Sequence, residues 1–208
     1  MAAREHILHK VRTALGRSAG QPPAEAPPAW LRVPEAGRER RVRAMLERFH
    51  GKTRRTWSPD EARDYVAGVV RGRRAVASPH PLLEQLGILA LPEVQAVSGR
   101  PEDVRDACAG ADIGITTAEY GLADTGALVV MASAAESRLV SLLPGLHLAV
   151  LPIDRLLTGL DELLTLLPDP AAVSSSMVLI GGPSKTADIE QILTLGVHGP
   201  TEIELVLV

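Results

Sequence analysis

Two short segments of the chain hold the side chains best suited to chemistry, and the first is residues 119–126, EYGLADTG. It contains the carboxylates of Glu119 and Asp124, the hydroxyl of Thr125 and the glycine Gly126. Loops on a fixed scaffold often hold functional residues, and a carboxylate in a partly dry pocket can act as a general acid or base. We therefore expect Glu119 and Asp124 to be catalytic and Thr125 and Gly126 to contact a ligand. In the alternative, residues 124–126 form only a turn in which the aspartate bonds its own backbone.

The second segment, residues 181–188, reads GGPSKTAD and follows the apolar run 177–180. Apolar residues then recur at helical spacing, so the pattern predicts strand, turn and helix. The first turn of a helix presents unpaired N–H groups, and glycines let the backbone approach a ligand closely. This predicts a binding site for a carboxylate or phosphate, formed by Gly181, Gly182, Ser184, Lys185, Thr186 and Asp188. The alternative is that Ser184 or Thr186 only caps the helix and that Gly-Pro only makes a turn.

Residues 196–200, GVHGP, should stop this helix, and the alternation of apolar residues in 203–207 predicts a further strand. Residues 177–208 are thus expected to form one βαβ unit. His198 lies in its second turn, where it either assists proton transfer or bonds a backbone carbonyl in a structural role. We expect the crevice at the strand ends to bring the 181–186 turn together with residues 121–126.

These segments resemble the signatures of a known family, the lactate-utilisation protein C family or LUD domain. GPSKTADIE at 182–190 and GVHGP at 196–200 closely resemble its C-terminal signature. GLADTG at 121–126 is similar to its Gly-Ile-Ala-Glu-Thr-Gly segment. The resemblance runs from about residue 111 to residue 208, and it includes a short N-terminal helix of the Arg-x-x-Ile-Leu type at residues 4–8.

The resemblance implies a fold like that of sugar-phosphate isomerases and coenzyme A transferases. It also implies a role in oxidising L-lactate to pyruvate beside iron–sulfur oxidoreductase subunits. Related coenzyme A transferases place a glutamate at a similar strand end, so by analogy of fold Glu119 is the expected base. Arg138 is family-like in position and would hold a carboxylate through two hydrogen bonds. The alternative for Arg138 is an ordinary solvent-exposed arginine on a helix.

The cysteine and histidine content argues against a metal or redox centre in this chain. Cys108 is the single cysteine among 208 residues, whereas an iron–sulfur cluster commonly needs four thiolates. His6 and His9 share a helix face, but no further ligand follows at metal-binding spacing. We expect no cofactor and no metal here, and an iron–sulfur cluster in partner proteins.

Composition and charge indicate which class of protein this is and what kind of partner it binds. Hydrophobic residues make 46% of the chain, which is typical of a globular protein, and Pro144, His147 and Pro152 interrupt the most apolar stretch before it could span a membrane. Charged residues near the N-terminus replace the apolar centre of a signal peptide, so we expect a cytoplasmic protein. Residues 1–57 hold thirteen Lys and Arg against five Glu, a balance of +8. Such a basic region favours an acidic partner; the lack of aromatic clusters disfavours nucleic acid.

The order of predicted elements indicates a three-layer, Rossmann-like α/β domain over residues 58–208, with a mostly parallel sheet of about six strands. Residues 1–57 are expected to form a basic helical extension: a helix at 2–15, a proline-rich linker at 18–34 and a helix at 35–50. The apolar stripe of the second helix packs either on the main domain or on another copy of the chain, which would make a homo-oligomer. Ser58 as a cap, Pro59 at the first position and acids in the first turn predict the start of a helix at residue 58. A β-branched strand is predicted at 113–117 and another strand at 127–131. A leucine-rich amphipathic helix is predicted at 154–167.

Three functions remain open from the sequence. The first is an accessory or ligand-binding subunit of a lactate-oxidising system. The second is a free-standing isomerase-like or transferase-like enzyme acting on a small phosphorylated or carboxylated substrate. The third is a regulatory or nucleic-acid-associated protein that uses the basic extension.

Overall fold

The computed structural model describes residues 3–16, 37–133, 135–187 and 193–208. The chain divides into two compact units, Met1–Trp30 and Leu31–Val208. In the first unit, helix α1 spans Ala3–Ala14 and confirms the predicted N-terminal helix. Its apolar residues Ile7 and Val11 are exposed. The predicted linker at 18–34 lies wholly outside the described residues.

The second unit contains the remaining described helices and strands. Its helices are α2 (Arg38–Arg48), α3 (Pro59–Val70), α4 (Pro81–Gln85), α5 (Pro101–Ala109), α6 (Leu139–Leu142), α7 (Leu160–Leu166) and α8 (Pro170–Val173). Its strands are β1 (Lys52–Arg55), β2 (Ala75–Ala77), β3 (Val94–Ala96), β4 (Ile113–Thr117), β5 (Tyr120–Leu122), β6 (Ala127–Met131), β7 (Leu146–Leu151), β8 (Leu156–Leu157), β9 (Met177–Ile180), β10 (Lys185–Ala187), β11 (Leu193–Leu195) and β12 (Glu202–Leu207). None of the described helices combines the length and apolar character needed to cross a membrane.

Six strands form a central sheet in the order β1-β12-β7-β4-β2-β3, and each neighbouring pair is parallel. The predicted α/β fold with a mostly parallel central sheet is therefore confirmed. Strands β3 and β4 lie on opposite sides of β2, so the direction of winding reverses between β2 and β4. Open α/β sheets commonly bind ligands at such a point, outside the carboxyl ends of the strands.

A smaller mixed sheet, ordered β8-β5-β6-β9, lies over one face of the central sheet. Strand β5 pairs antiparallel with β6 and parallel with β8. The β5–β6 hairpin leaves the carboxyl end of β4, turns at residues 123–126 and then returns. Residues on either side of the hairpin therefore lie near the carboxyl ends of the central strands, and the turn lies far from them.

Apolar side chains fill both faces of the central sheet. On one face, residues of α3 and α4 pack against inward side chains of β2, β4 and β7. On the other face, α2 and the smaller sheet cover β7 and β12, while α5 and α6 cover β2. The alternation is visible in β12, where Val206 faces the first core and Leu205 and Leu207 face the second. These layers give the three-layer arrangement expected from the sequence.

Helix α2 and strand β1 contribute directly to this fold. The predicted stripe of α2 packs into the core between the sheets, with Met45 fully buried. Strand β1 pairs with β12 at the edge of the central sheet. The predicted division at residue 57 falls just before α3, which starts as expected: the Ser58 hydroxyl accepts the Glu61 N–H at 3.2 Å, and Pro59 occupies the first turn.

The predicted helix at 154–167 was wrong in its first half. Residues Ile153–Arg155 form a 3₁₀ turn, Leu156–Leu157 form β8, and the helix begins only after Gly159. Leu156 and Leu157 are buried by pairing with β5, and this long-range contact outweighs the helical spacing of the leucines.

The predicted helix after Ser184 and the βαβ unit were also wrong. Lys185–Ala187 form β10, which pairs antiparallel with β11, so the described part of this segment is a hairpin. Strands β9 and β12 belong to different sheets. Residues 188–192, including Asp188, lie outside the described residues.

Candidate functional site

A crevice opens where β2, β4 and β7 end, at the point where the winding of the sheet reverses. Hydroxyl groups follow these strands: Ser78 comes directly after β2, and Thr116 and Thr117 end β4. All three residues are buried. Glu119 follows β4 and borders a cavity of about 310 Å³ with Thr117 and Arg155. We call this region the carboxyl-end crevice.

Glu119 occupies the centre of the carboxyl-end crevice. Its backbone N–H donates to the Val129 carbonyl at 2.8 Å, which fixes it to the start of the β5–β6 hairpin. The half-buried residue also borders a second cavity of about 210 Å³ with Tyr120 and Met131. A carboxylate that is held by its backbone and faces open space is placed to accept a proton from a ligand.

The segment after β6 brings a second carboxylate and a guanidinium to the crevice. Glu136 and Arg138 border a narrow space of about 10 Å³ together with Glu119 and Thr116. Arg138 also lines an adjoining cavity of about 260 Å³ and donates to the Ser176 hydroxyl at 3.4 Å. The structure thus places Arg138 beside Glu119, as a site for a carboxylate ligand would need.

Arg155, in the 3₁₀ turn after β7, borders another cavity of the crevice together with Glu119. Its guanidinium carbon lies 5.5 Å from the centroid of the Tyr120 ring, and Nη1 donates to the Tyr120 hydroxyl at 3.4 Å. Stacking on the ring restrains the side chain while leaving its charge exposed. Arg155 therefore provides a second cation for an anionic ligand.

A buried histidine supports the floor of the crevice from below. His147 of β7 is 1% exposed, and its Nε2 lies 2.8 Å from Thr116 Oγ1. Burial lowers the pKa of His147 from 6.5 to about 4, because the charged imidazolium would lose its hydration. His147 is thus neutral near pH 7. Its partner Thr116 borders the narrow space beside Glu119.

Asp124, Thr125 and Gly126 lie in the hairpin turn, away from the crevice. The Asp124 N–H donates to the Thr158 carbonyl at 3.0 Å. Gly126 has φ of 70°, and a Cβ atom on it would collide with the backbone of Arg48, at the end of α2. Glycine is therefore required here by both backbone conformation and packing.

The C-terminal signature packs close to that turn. A Cβ atom on Gly182 would lie 2.8 Å from the Cβ of His50, two positions after Arg48. The 121–126 and 181–186 segments therefore approach the same α2–β1 connection. The two segments therefore converge, as expected from the sequence. They do so at the amino ends of β1 and β12, so the expected place, the crevice at the carboxyl ends of the strands, was wrong.

Ser184 and His198 are joined to each other in this amino-end region. The Ser184 hydroxyl accepts the His198 N–H at 3.3 Å, and the Ser184 N–H donates to the Pro200 carbonyl at 2.9 Å. The Ser184 carbonyl accepts the Gly196 N–H, also at 2.9 Å. Ser184 thus stabilises the 196–200 turn through three hydrogen bonds. Gly181 lies in the connection between β9 and β10, and Lys185 and Thr186 lie in β10.

The predicted site residues are therefore divided between two places. Glu119 and Arg138 meet at the carboxyl-end crevice, whereas the glycines, Ser184 and His198 lie toward the amino ends of the central strands. Sequence reasoning missed Ser78, Thr116, Glu136, His147 and Arg155, which the fold brings to the crevice. Ser78 follows β2 and Arg155 follows β7, which was the available signal for these two, because the carboxyl ends of parallel strands share one edge. Thr116, Glu136 and His147 had no such signal.

Comparison with known proteins agrees with the fold. The sequence model of the LUD domain matches residues 40–208. A "Lactate utilization protein C" from Halalkalibacterium halodurans is 30% identical over 215 aligned residues, which cover 95% of this chain and 94% of that protein. This chain belongs to the LUD domain family.

Two further comparisons place this LUD domain chain among its relatives. A "Lactate utilization protein C" from an Exiguobacterium species is 39% identical over 115 residues, so the match spans 53% of this chain and about half, 50%, of that relative. The crystal structure of a DUF162 family protein from Deinococcus radiodurans aligns with a TM-score of 0.59 and 17% identity. It covers 83% of this chain and 98% of that one, and this likeness concerns the fold alone.

Proposed function

We propose that this LUD domain chain is an accessory, ligand-binding subunit of a cytoplasmic system that oxidises L-lactate to pyruvate together with iron–sulfur oxidoreductase subunits. The observation that carries the proposal is the alignment with the Halalkalibacterium lactate utilization protein C over 95% of the chain. In this oxidation L-lactate loses two electrons and two protons. The electrons pass to clusters in the partners, because the single cysteine of this chain, Cys108, cannot supply the usual set of thiolates.

The carboxyl-end crevice is the proposed binding site for the small carboxylate. Arg138 and Arg155 border different cavities of the crevice, and guanidinium groups bind carboxylates through paired hydrogen bonds. Glu119 borders one cavity with each of them. A bound 2-hydroxy acid would thus have a cation for its carboxylate and a base near its hydroxyl.

The exposed arginines of α2 are the proposed docking surface for the partner subunits. Arg38, Arg40, Arg43 and Arg48 are exposed on this helix. Such a basic surface attracts an acidic protein surface and accelerates association at low salt. We propose no binding of nucleic acid by this surface.

Growth on L-lactate as sole carbon source tests the function. A strain that lacks this gene is expected to stop growing on L-lactate, to grow normally on succinate, and to recover on lactate when the intact chain is supplied. Cell extracts of the deletion strain should also lose L-lactate oxidation measured with an artificial electron acceptor. Unchanged growth and unchanged oxidation in the deletion strain would contradict the proposed role.

A second candidate function is favoured by the two carboxylates of the crevice. Glu119 and Glu136 both border the narrow space next to Arg138, and paired carboxylates can divide the roles of acid and base. A free-standing isomerase-like or transferase-like enzyme would use them on a phosphorylated or carboxylated substrate. The purified chain should then isomerise a sugar phosphate, or transfer coenzyme A from an acyl-coenzyme A to a free carboxylate, without partners, whereas the accessory role predicts no such turnover.

A further inference from the structure

The narrow space beside Glu119 has more carboxylates than cations in its lining. Two carboxylates, Glu119 and Glu136, and one guanidinium, Arg138, border it, and Ser78, Thr116, Thr117 and Ser137 add hydroxyl groups. Once Arg138 pairs with the carboxylate of a ligand, the two glutamates would repel a further anionic oxygen, whereas an uncharged hydroxyl or carbonyl oxygen can accept from the hydroxyls. The volume of about 10 Å³ is enough for one water molecule or one ligand oxygen.

His147 determines which way the Thr116 hydroxyl points. The Nδ1 atom of His147 is buried and has no hydrogen-bond partner within the described residues. A buried N–H group without a partner is rarer and costlier than a buried lone pair, so the proton of the neutral ring belongs on Nε2. Nε2–H then donates to Thr116 Oγ1 across the 2.8 Å contact.

That assignment frees the Thr116 hydrogen. Since Oγ1 already accepts from His147, its own O–H is available to donate into the space that it borders with Glu119. Thr116 is 3% exposed, so this donor is shielded from bulk water and its hydrogen bond is correspondingly stronger. A buried donor of this kind needs a partner oxygen.

We propose that the space between Ser78, Thr116 and Glu119 is a subsite for the uncharged oxygen on C2 of a 2-hydroxy or 2-oxo acid. Thr116 donates to this oxygen, Arg138 binds the adjacent carboxylate, and His147 is a positioning residue that holds the Thr116 hydroxyl. The inference rests on the proposed function, because it takes the ligand to be L-lactate or pyruvate, and it adds the residues that recognise the oxygen on C2.

Propionate provides the matched ligand, because it has the carboxylate and carbon chain of L-lactate but no oxygen on C2. Binding of L-lactate, pyruvate and propionate to the full-length protein is measured by calorimetry. We expect the oxygenated acids to bind more tightly than propionate by about tenfold or more, since a site built for hydrogen bonding rejects the analogue that lacks the group. Equal affinity for propionate and lactate in the wild-type protein would overturn the subsite.

Variants assign the preference to individual residues. Thr116→Val should weaken lactate and pyruvate binding about 3- to 10-fold while propionate binding stays the same, and Thr116→Ser should restore the preference. His147→Leu should reduce the preference in the same way, and His147→Gln, which keeps an N–H donor, should retain more of it. A preference that persists unchanged in folded Thr116→Val would overturn the role of Thr116. If that variant does not fold, the propionate comparison in the wild-type protein still decides.

Ligand binding and growth test the subsite and the lactate role separately. Wild-type protein that binds none of the three acids would overturn the subsite, while lactate-dependent growth of the strain with the intact chain would still support a lactate role. If the deletion strain grows normally on L-lactate and the protein clearly prefers the oxygenated acids, the subsite is retained and the lactate role is contradicted.

Discussion

Glu119 and Asp124 lie at opposite ends of strand β5, so the two carboxylates of one short segment do not share a site. The Glu119 N–H pairs with Val129 beside the carboxyl-end crevice, and the Asp124 N–H pairs with Thr158 at the far turn. Chemistry at Glu119 and packing at the turn can therefore be tested separately.

Gly126→Ala should destabilise the fold. Its positive φ and the collision of a Cβ atom with the Arg48 backbone should together lower the free energy of unfolding by about 2–4 kcal/mol. In thermal unfolding the midpoint should fall by roughly 5–15 °C. Gly68→Ala is the control: it lies within α3 with no atom near the new Cβ, and should stabilise the protein by about 0.5–1 kcal/mol. Similar small effects of both changes would show that the turn does not pack on α2.

His147 should make stability depend on pH. Its pKa is about 4 in the folded state against 6.5 without burial, so between these values the unfolded state binds more protons. The free energy of unfolding should therefore be highest above about pH 7 and fall by about 3 kcal/mol as the pH drops to about 4.

Denaturant unfolding of wild type and His147→Gln across this pH range measures that contribution. The curve of the variant should lack the His147 share of the decline, while His198→Gln, at an exposed position, should follow the wild type. Parallel curves for wild type and His147→Gln would mean that the buried ring does not resist protonation.

Met45→Ala tests whether α2 is part of the main core. The side chain is fully buried between the sheets, and truncation of such a methionine costs about 2–5 kcal/mol. Glu47→Ala on the exposed side of the same helix should change stability by less than about 0.5 kcal/mol. Chemical denaturation of both variants is sufficient, and a Met45→Ala protein as stable as Glu47→Ala would place α2 outside the core.

Ser184→Ala separates two explanations of the C-terminal signature. If Ser184 acts through its hydrogen bond to the His198 N–H, its loss should cost about 0.5–1 kcal/mol and leave growth on lactate intact. If Ser184 binds a ligand, as predicted from the sequence, the variant should lose growth at normal protein abundance. Ser58→Ala, which removes the cap of α3 at a cost of about 1 kcal/mol, controls for mild destabilisation.

Local signals predicted the elements whose sequence preference agrees with their packing. Ser58 and Pro59 marked the start of α3, and β-branched residues marked β4 and β6. The predictions failed where a long-range pairing overrode the local pattern. Leu156 and Leu157 have helical spacing with later leucines but pair with β5, and Lys185 begins a strand that pairs with β11.

The candidate site was predictable only in part, for a related reason. Glu119 was identifiable because a carboxylate stood at the end of a strand-like segment. Thr116 and His147 carry no spacing signal, since they come from two strands that are neighbours in the sheet and far apart in sequence. The order of strands, which the sequence alone did not give, is what brings them beside Glu119.

Complementation with Glu119→Gln tests the central claim most directly. In a deletion strain on L-lactate, the intact chain and a Glu47→Gln control should restore growth, whereas Glu119→Gln should not, despite equal abundance and an unfolding midpoint close to that of the wild type. That result would link the lactate role to the carboxyl-end crevice. Full growth with Glu119→Gln would contradict the assignment of the site to Glu119, and normal growth of the deletion strain itself would contradict the lactate role.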